Sequence, residues 1–176
     1  SSVLPEPTDP TTLPDWEVEW AGLMIGDGCM GPLDRGNAKM NLTVGHQSPV
    51  TLQRAIDLIE EAGLVAAVRK NESSYTVTPK QEKVKRFGNP LREMFHRLEL
   101  AGTKSSTKFI PKEMFRLNNR QVALLISRLI DTDGWVSKSN TWEVGYGTIS
   151  EELADGVVNL FLRLGVVAEK KIKRGT

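Results

Sequence analysis

Two aspartates, Asp27 and Asp133, sit at the same place in two versions of one short stretch. The first version runs from Trp20 to Gly28. The second runs from Ile126 to Gly134, 106 positions later (133 − 27). Each is an apolar run of helical character that ends in Asp-Gly. The glycine suits a left-handed turn closing a helix, which predicts each aspartate at a helical C-terminus. The macrodipole is negative there, so the position is poor for a carboxylate whose only role is stability. A cation reverses that argument. Two such tips brought together form a two-carboxylate cation site, and the repetition marks this as architecture rather than two chance turns.

The elements that position these carboxylates follow from spacing. Gly22 and Gly26 lie four apart on one helical face, with Ala21 beside them. Small residues so spaced let two helix backbones approach closely. In the second copy Ser127 and Arg128 stand where Ala21 and Gly22 stand in the first. Ala21, Gly22 and Ser127 are therefore the expected interface positions. Arg128 must either point away from the seam or make the packing asymmetric.

Around the paired helices the chain reads as follows. Residues 1–14, with four prolines, read as an extended linker joining this domain to another piece. The first motif helix starts at Pro14 or Asp15. Cys29 to Leu33 and Ala38 to Val44 read as strands about a turn at Asp34 to Asn37. Lys39, Asn41 and Thr43 alternate there with Met40, Leu42 and Val44. Ser48-Pro49 opens a helix that Gly63 closes. A second hairpin pairs Leu64 to Lys70 with Ser74 to Thr78, and Arg69, Lys70 and Tyr75 are candidates for the polar sheet face. Asn89-Pro90 starts a helix to about Leu100. Ala101 to Lys108 is a loop of small residues. The second motif helix follows Asn118. Trp135 to Ser137 and Trp142 to Thr148 form a hairpin, Ser150 caps a helix that runs to Gly165, and Val166 to Lys173 reads as a strand.

The repeat extends past the motifs. A shift of 102 places Ser48 on Ser150, Gly63 on Gly165 and Thr176 on Ser74. The fold class expected is α+β: two pseudo-symmetric αββαββα repeats, residues 15–108 and 109–176, packed through the motif helices. Each carries an antiparallel sheet, and the second repeat is incomplete.

Composition sets limits. Hydrophobic content of 39% and charged content of 26% fit a globular protein. The single Cys29 excludes an internal disulfide and a Cys-based zinc site, and fits a reducing compartment. His46 and His96 have no paired metal-binding spacing. The net charge is only +1, but residues 1–27 hold no Lys or Arg. The basic residues all lie in the remainder, as phosphate contact requires.

The paired stretches resemble the LAGLIDADG family of homing endonucleases. Ala21, Gly22, Leu23, Asp27 and Gly28 carry the first match, and Leu129, Ile130, Asp131, Asp133 and Gly134 the second. Lys108-Phe109-Ile110-Pro111 resembles the Lys-x-Ile-Pro block ahead of the second motif in the endonuclease domains of inteins. The resemblance implies that Asp27 and Asp133 hold Mg²⁺, with Mn²⁺ able to substitute, helped by the carbonyls of Gly26 and Thr132. Lys108 is implied as the basic residue near the scissile phosphate, with Lys104 its fallback. A saddle of two sheets on the major groove of double-stranded DNA is implied too, with a long target and cuts that leave 3′ overhangs. Candidate DNA contacts are Arg35, Asn37, Lys39, Asn41, Thr43, Arg69, Lys70, Tyr75, Lys138, Asn140, Tyr146, Thr148 and Lys171. The expected protein is a monomer of intein origin that does not splice itself, working in the cytoplasm on prokaryotic or phage DNA.

Three other readings compete. The same scaffold serves as an inactive DNA-binding protein or as an RNA maturase, and a purely structural repeat is the third. Retention of both aspartates disfavours the first, and the near-neutral total charge disfavours the second.

Overall fold

The computed structural model describes residues 4–31, 40–81, 89–138 and 141–172. In chain order the elements are α1 (Asp15–Asp27), β1 (Gly28–Met30), β2 (Met40–Gly45), α2 (Pro49–Glu61), β3 (Val65–Lys70), β4 (Ser74–Lys80) and α3 (Pro90–Arg97). A 3-10 helix, Lys112–Arg116, leads to α4 (Asn119–Asp133), β5 (Gly134–Lys138), β6 (Trp142–Tyr146) and α5 (Glu151–Arg163). The order αββαββα followed by αββα is the expected pair of repeats, the second shorter.

α1 is apolar over most of its circumference, and every residue from Val18 to Gly26 is buried. Such a helix belongs inside a protein, and α4 is its main neighbour. The two run parallel. Their N-termini are joined by Arg120 on Asp15 (2.7 Å) and by Gln121 on the same carboxylate (2.9 Å). A Cβ added at Gly22 would stand 2.7 Å from the Arg128 Cβ, and one at Gly26 would stand 1.8 Å from the Thr132 Oγ1. Gly22 with Arg128, and Gly26 with Thr132, are the same positions of the 106-residue repeat. The seam therefore runs along the pseudo-twofold axis, and glycine on one strand of the seam makes room for a larger residue on the other.

Arg128 is thus at the seam at its Cβ, and its guanidinium bends outward. It donates to Glu19 (2.8 Å) and pairs with Asp131. Glu19 is buried and also takes Arg54 of α2 at 2.6 and 3.0 Å. Burial pushes the Glu19 pKa up, but Arg54 and Arg128 outweigh it and hold the carboxyl below its ordinary value. Ala21 is fully buried. Ser127 is not at the seam: it is exposed, and its hydroxyl donates to the Leu124 carbonyl of its own helix (2.8 Å). Leu125, Arg128 and Thr132, spaced three and four apart, lie on the contact face instead.

The first sheet has the order β1-β2-β4-β3, all antiparallel. Leu42, Val44 and Val77 are buried in one core with residues of α1, α2 and α3. Cross-strand partners share a face, so Leu42 with Val77 and Val44 with Tyr75 define the inner face. Asn41, Thr43, Thr76 and Arg69 define the outer one.

Three expectations change. Gly28 and Gly134 are not left-handed: φ is −80° and −95°, and each backbone passes straight into a strand. Glycine is needed there because a Cβ would meet the preceding helical turn, 2.5 Å from the Met24 carbonyl oxygen in one case and from the Ile130 Cα in the other. The left-handed closures are at Gly63 (φ 74°) and Gly165 (φ 77°). Second, Val166 to Ile172 forms no strand. In the first repeat β3 pairs only with β4, and the described residues hold no counterpart of β4 in the second repeat. Third, residues 4–14 are extended but docked. The Leu4 N–H donates to the Leu162 carbonyl (3.4 Å), Thr11 bridges Leu117, and Leu13 is buried.

Candidate active site

α1 and α4 end side by side, and Asp27 and Asp133 line one cavity of about 400 Å³ with Gly26, Ser105, Lys108 and Thr148. The direct run from helix to strand at Gly28 and Gly134 leaves each aspartate as the last residue of its helix. Asp27 keeps contact with solvent, and Asp133 is half-buried. The Asp133 carbonyl accepts from the Gly147 N–H (3.0 Å), which fixes the β6 exit against the end of α4.

Lys108 is buried and reaches across to the same place. Its ammonium donates to the Gly26 carbonyl. The backbone of Lys108 is held in turn by Ser150, whose hydroxyl donates to the Lys108 carbonyl (2.6 Å) while accepting from the Leu153 N–H (3.2 Å). The α5 cap and the site lysine therefore share one hydroxyl. Ile110 is anchored on α5, where a Cβ at Gly156 would come within 2.7 Å of the Ile110 Cγ1. That explains the apolar residue two positions after the lysine. Lys104, the fallback, is exposed, and its N–H bonds the Thr107 hydroxyl.

The charges are frustrated. Burial raises the Asp27 pKa, the Asp133 charge raises it further, and Lys108 opposes both. Asp133 is raised by burial against the same lysine. Burial lowers the Lys108 pKa, and Asp133, Asp27 and Cys29 pull it back. Two carboxylates face one ammonium in a partly enclosed pocket. The donor set is all oxygen, which suits a hard divalent cation. Among the described residues no cluster of three His, Cys, Asp or Glu exists, so further ligands would be carbonyls, water or substrate oxygens. Asp27 and Asp133 fit such an ion. The Gly26 carbonyl fits once Lys108 releases it. The Thr132 hydroxyl is turned to the Leu129 carbonyl of its own helix (2.7 Å), which leaves the main-chain oxygen as that residue's candidate ligand.

The expected DNA contacts separate by place. Asn41, Thr43 and Arg69 share the outer face of the first sheet, and the Asn41 Oδ1 accepts from Thr78 (2.7 Å). Lys70 and Tyr75 pair with each other on the inner side, and the Tyr75 ring lies 4.6 Å from His46. Adjacent strand residues point to opposite faces, so Arg69 and Lys70 cannot share one. Lys138 lies over Trp142 (5.0 Å) on the face that carries Val136 and Val144. Tyr146 points inward with a buried hydroxyl, and Thr148 lines the cavity beyond the end of β6. Lys171 is exposed beside Glu169 (3.3 Å). Arg35, Asn37, Lys39 and Asn140 lie outside the described residues. Ser105 also lines the cavity, and the sequence reading does not single it out. It has no local signature, because it reaches the site only through the tertiary fold.

These features define a class: a single chain with two copies of a helix-hairpin unit, whose parallel helices deliver one carboxylate each to a shared cavity. Residues 120–176 match the family described as LAGLIDADG-like domain. It is 29% identical over 163 residues to the replicative DNA helicase DnaB of Synechocystis sp., covering 88% of this chain and 18% of the helicase. It is 28% identical over 179 residues to DnaB of Rhodothermus marinus, covering 91% and 17%. It is 26% identical over 160 residues to the replication factor C small subunit of Methanocaldococcus jannaschii, covering 89% and 8%. The chain thus spans less than a fifth of the length of these relatives. Among solved structures, the homing endonuclease I-DmoI in complex with DNA and Mn superposes with a TM-score of 0.49 at 15% identity, over 87% of this chain and 79% of that one.

Proposed function

We propose that the chain is a site-specific endonuclease of double-stranded DNA, hydrolysing one phosphodiester on each strand and leaving 3′ overhangs. The observation that carries this reading is the meeting of Asp27 and Asp133, one from each repeat, in a cavity that also holds Lys108. A divalent ion bound there, Mg²⁺ with Mn²⁺ as substitute, would supply an activated water and stabilise the developing charge on the phosphate. The protein's own part is positional. The seam fixes the two carboxylates, one per pseudo-symmetric half, so that each half faces one strand. Lys108 presents a positive charge to the scissile phosphate when it leaves the Gly26 carbonyl. The outer face of the first sheet, with Asn41, Thr43 and Arg69, offers both phosphate and base-edge partners.

The same segment is similar to parts of a helicase and of a replication factor, two differently named proteins, and occupies a minor share of each. That supports a mobile segment of intein type carried inside a longer host protein. The test is incubation with a randomised duplex library in Mg²⁺ and sequencing of the cut ends, with Asp27→Asn and Asp133→Asn in parallel. Cuts at one long site, absent from both variants, are expected. Salt-sensitive enrichment of a site without cleavage would replace the nuclease with a DNA-binding protein.

A further inference from the structure

Tyr146 carries a polar atom that no interaction so far uses. Its hydroxyl is buried and makes no hydrogen bond among the described residues. Tyr146 is the cross-strand partner of Gly134, the residue after Asp133. In the first repeat the partner of Gly28 is Leu42. Tyr146 therefore occupies the place of a fully buried leucine, where packing alone has no need of a hydroxyl. A buried donor left without a partner is unfavourable, and its presence at one of two matched positions calls for a function.

We propose that Tyr146 is a positioning residue of the Asp27–Asp133 site, its hydroxyl donating to a carboxylate oxygen or to a water held by that pair when a divalent cation is bound. The inference rests on the cation reading of the pair. Its pairing with Gly134 sets Tyr146 beside the end of α4 that carries Asp133. Burial, and then the charges of Asp133 and Asp27, push the phenol pKa up, so it remains a neutral donor. A phenol has one proton to give, and the carboxylates are acceptors. Donors of this kind orient metal-binding carboxylates and hold the geometry the ion requires. The asymmetry also separates the two halves chemically: the Asp133 side has the donor, while the Asp27 side has Leu42 beneath it.

The test is Mn²⁺ binding by the whole chain, read by electron paramagnetic resonance of the free ion. Wild type, Tyr146→Phe and Asp133→Asn are compared, with a melting curve for each. Tyr146→Phe keeps the ring and removes only the hydroxyl. It is expected to weaken Mn²⁺ binding by about tenfold, with a melting temperature equal to or above that of wild type. Wild-type affinity in Tyr146→Phe, with binding lost in Asp133→Asn, would overturn the role of Tyr146 and leave the cation site standing. Weaker binding together with a clearly lower melting temperature would also overturn it, by making the residue structural. A wild type that does not bind Mn²⁺, or that binds it no better than Asp133→Asn, would overturn both readings.

Discussion

At the scale of single residues the site stores a conflict that the proposed cation would resolve. Asp27 and Asp133 both have raised pKa values, with burial the largest cause and their mutual repulsion adding at Asp27. A carboxylate whose folded-state pKa lies above its unfolded value binds its proton more tightly when folded. Stability is then lost as pH rises through the folded pKa, and the penalty is absent below the unfolded value near 3.8. In a chelator at neutral pH, Asp27→Asn should therefore melt higher than wild type, and the difference should vanish toward pH 4. Divalent metal should invert the order. At a hundredfold excess over its dissociation constant a bound ion adds about 2.7 kcal/mol to wild type, and the asparagine variant should gain little. Parallel melting curves across pH, with and without Mn²⁺, check both halves. A variant no more stable than wild type in chelator would contradict the electrostatic account.

At the scale of elements, the seam is the feature that local sequence described best. The four-residue glycine spacing correctly placed α1 against α4, and the Asp-Gly pairs correctly ended both helices. The partner residues were not legible in the same way. Ser127 is small but faces solvent, whereas Arg128 and Thr132 fill the positions opposite Gly22 and Gly26. Rotational phase on a helix is set by what the other helix offers, and one strand of text cannot show it. The same limit explains Tyr75 and Lys70, whose side of the sheet depends on pairing register. The seam geometry makes a quantitative claim. A methyl at Gly26 meets the Thr132 side chain at 1.8 Å, so Gly26→Ala should lose about 1–3 kcal/mol from overpacking. Adding Thr132→Gly should recover most of that loss, despite its own helix-propensity cost of about 1 kcal/mol. A double-mutant cycle in denaturant measures the coupling. Additive effects would mean that the two residues do not touch.

At the scale of the whole molecule the two repeats are not equally built, and the difference bears on how the protein would hold a duplex. The first repeat closes a four-stranded sheet over α1, α2 and α3, with Leu42 and Val77 fully buried at its centre. The second has a two-stranded sheet, whose Val136, Val144 and Trp142 are 57%, 53% and 69% exposed. A hairpin alone is marginal in water. Here it is tied down by its junction with α4 and by Trp135, whose ring lies over Gly145, where a Cβ would come within 2.1 Å of it. The docked segment from Leu4 to Leu13 braces α5 through Leu162 and the stretch before α4 through Leu117, and leaves the hairpin uncovered. Local opening should follow these differences. In hydrogen exchange, amides in β2 and β4 should be protected close to the global unfolding free energy. Those of β5 and β6 should exchange through smaller openings, faster by at least an order of magnitude. Binding of a cognate duplex should then protect β5 and β6 far more than β2 and β4, because only the hairpin has freedom left to lose. Equal protection in the two sheets of the free protein would show that the second repeat draws its stability from contacts other than those its sheet makes, and would remove the reason for expecting the halves to respond differently to DNA.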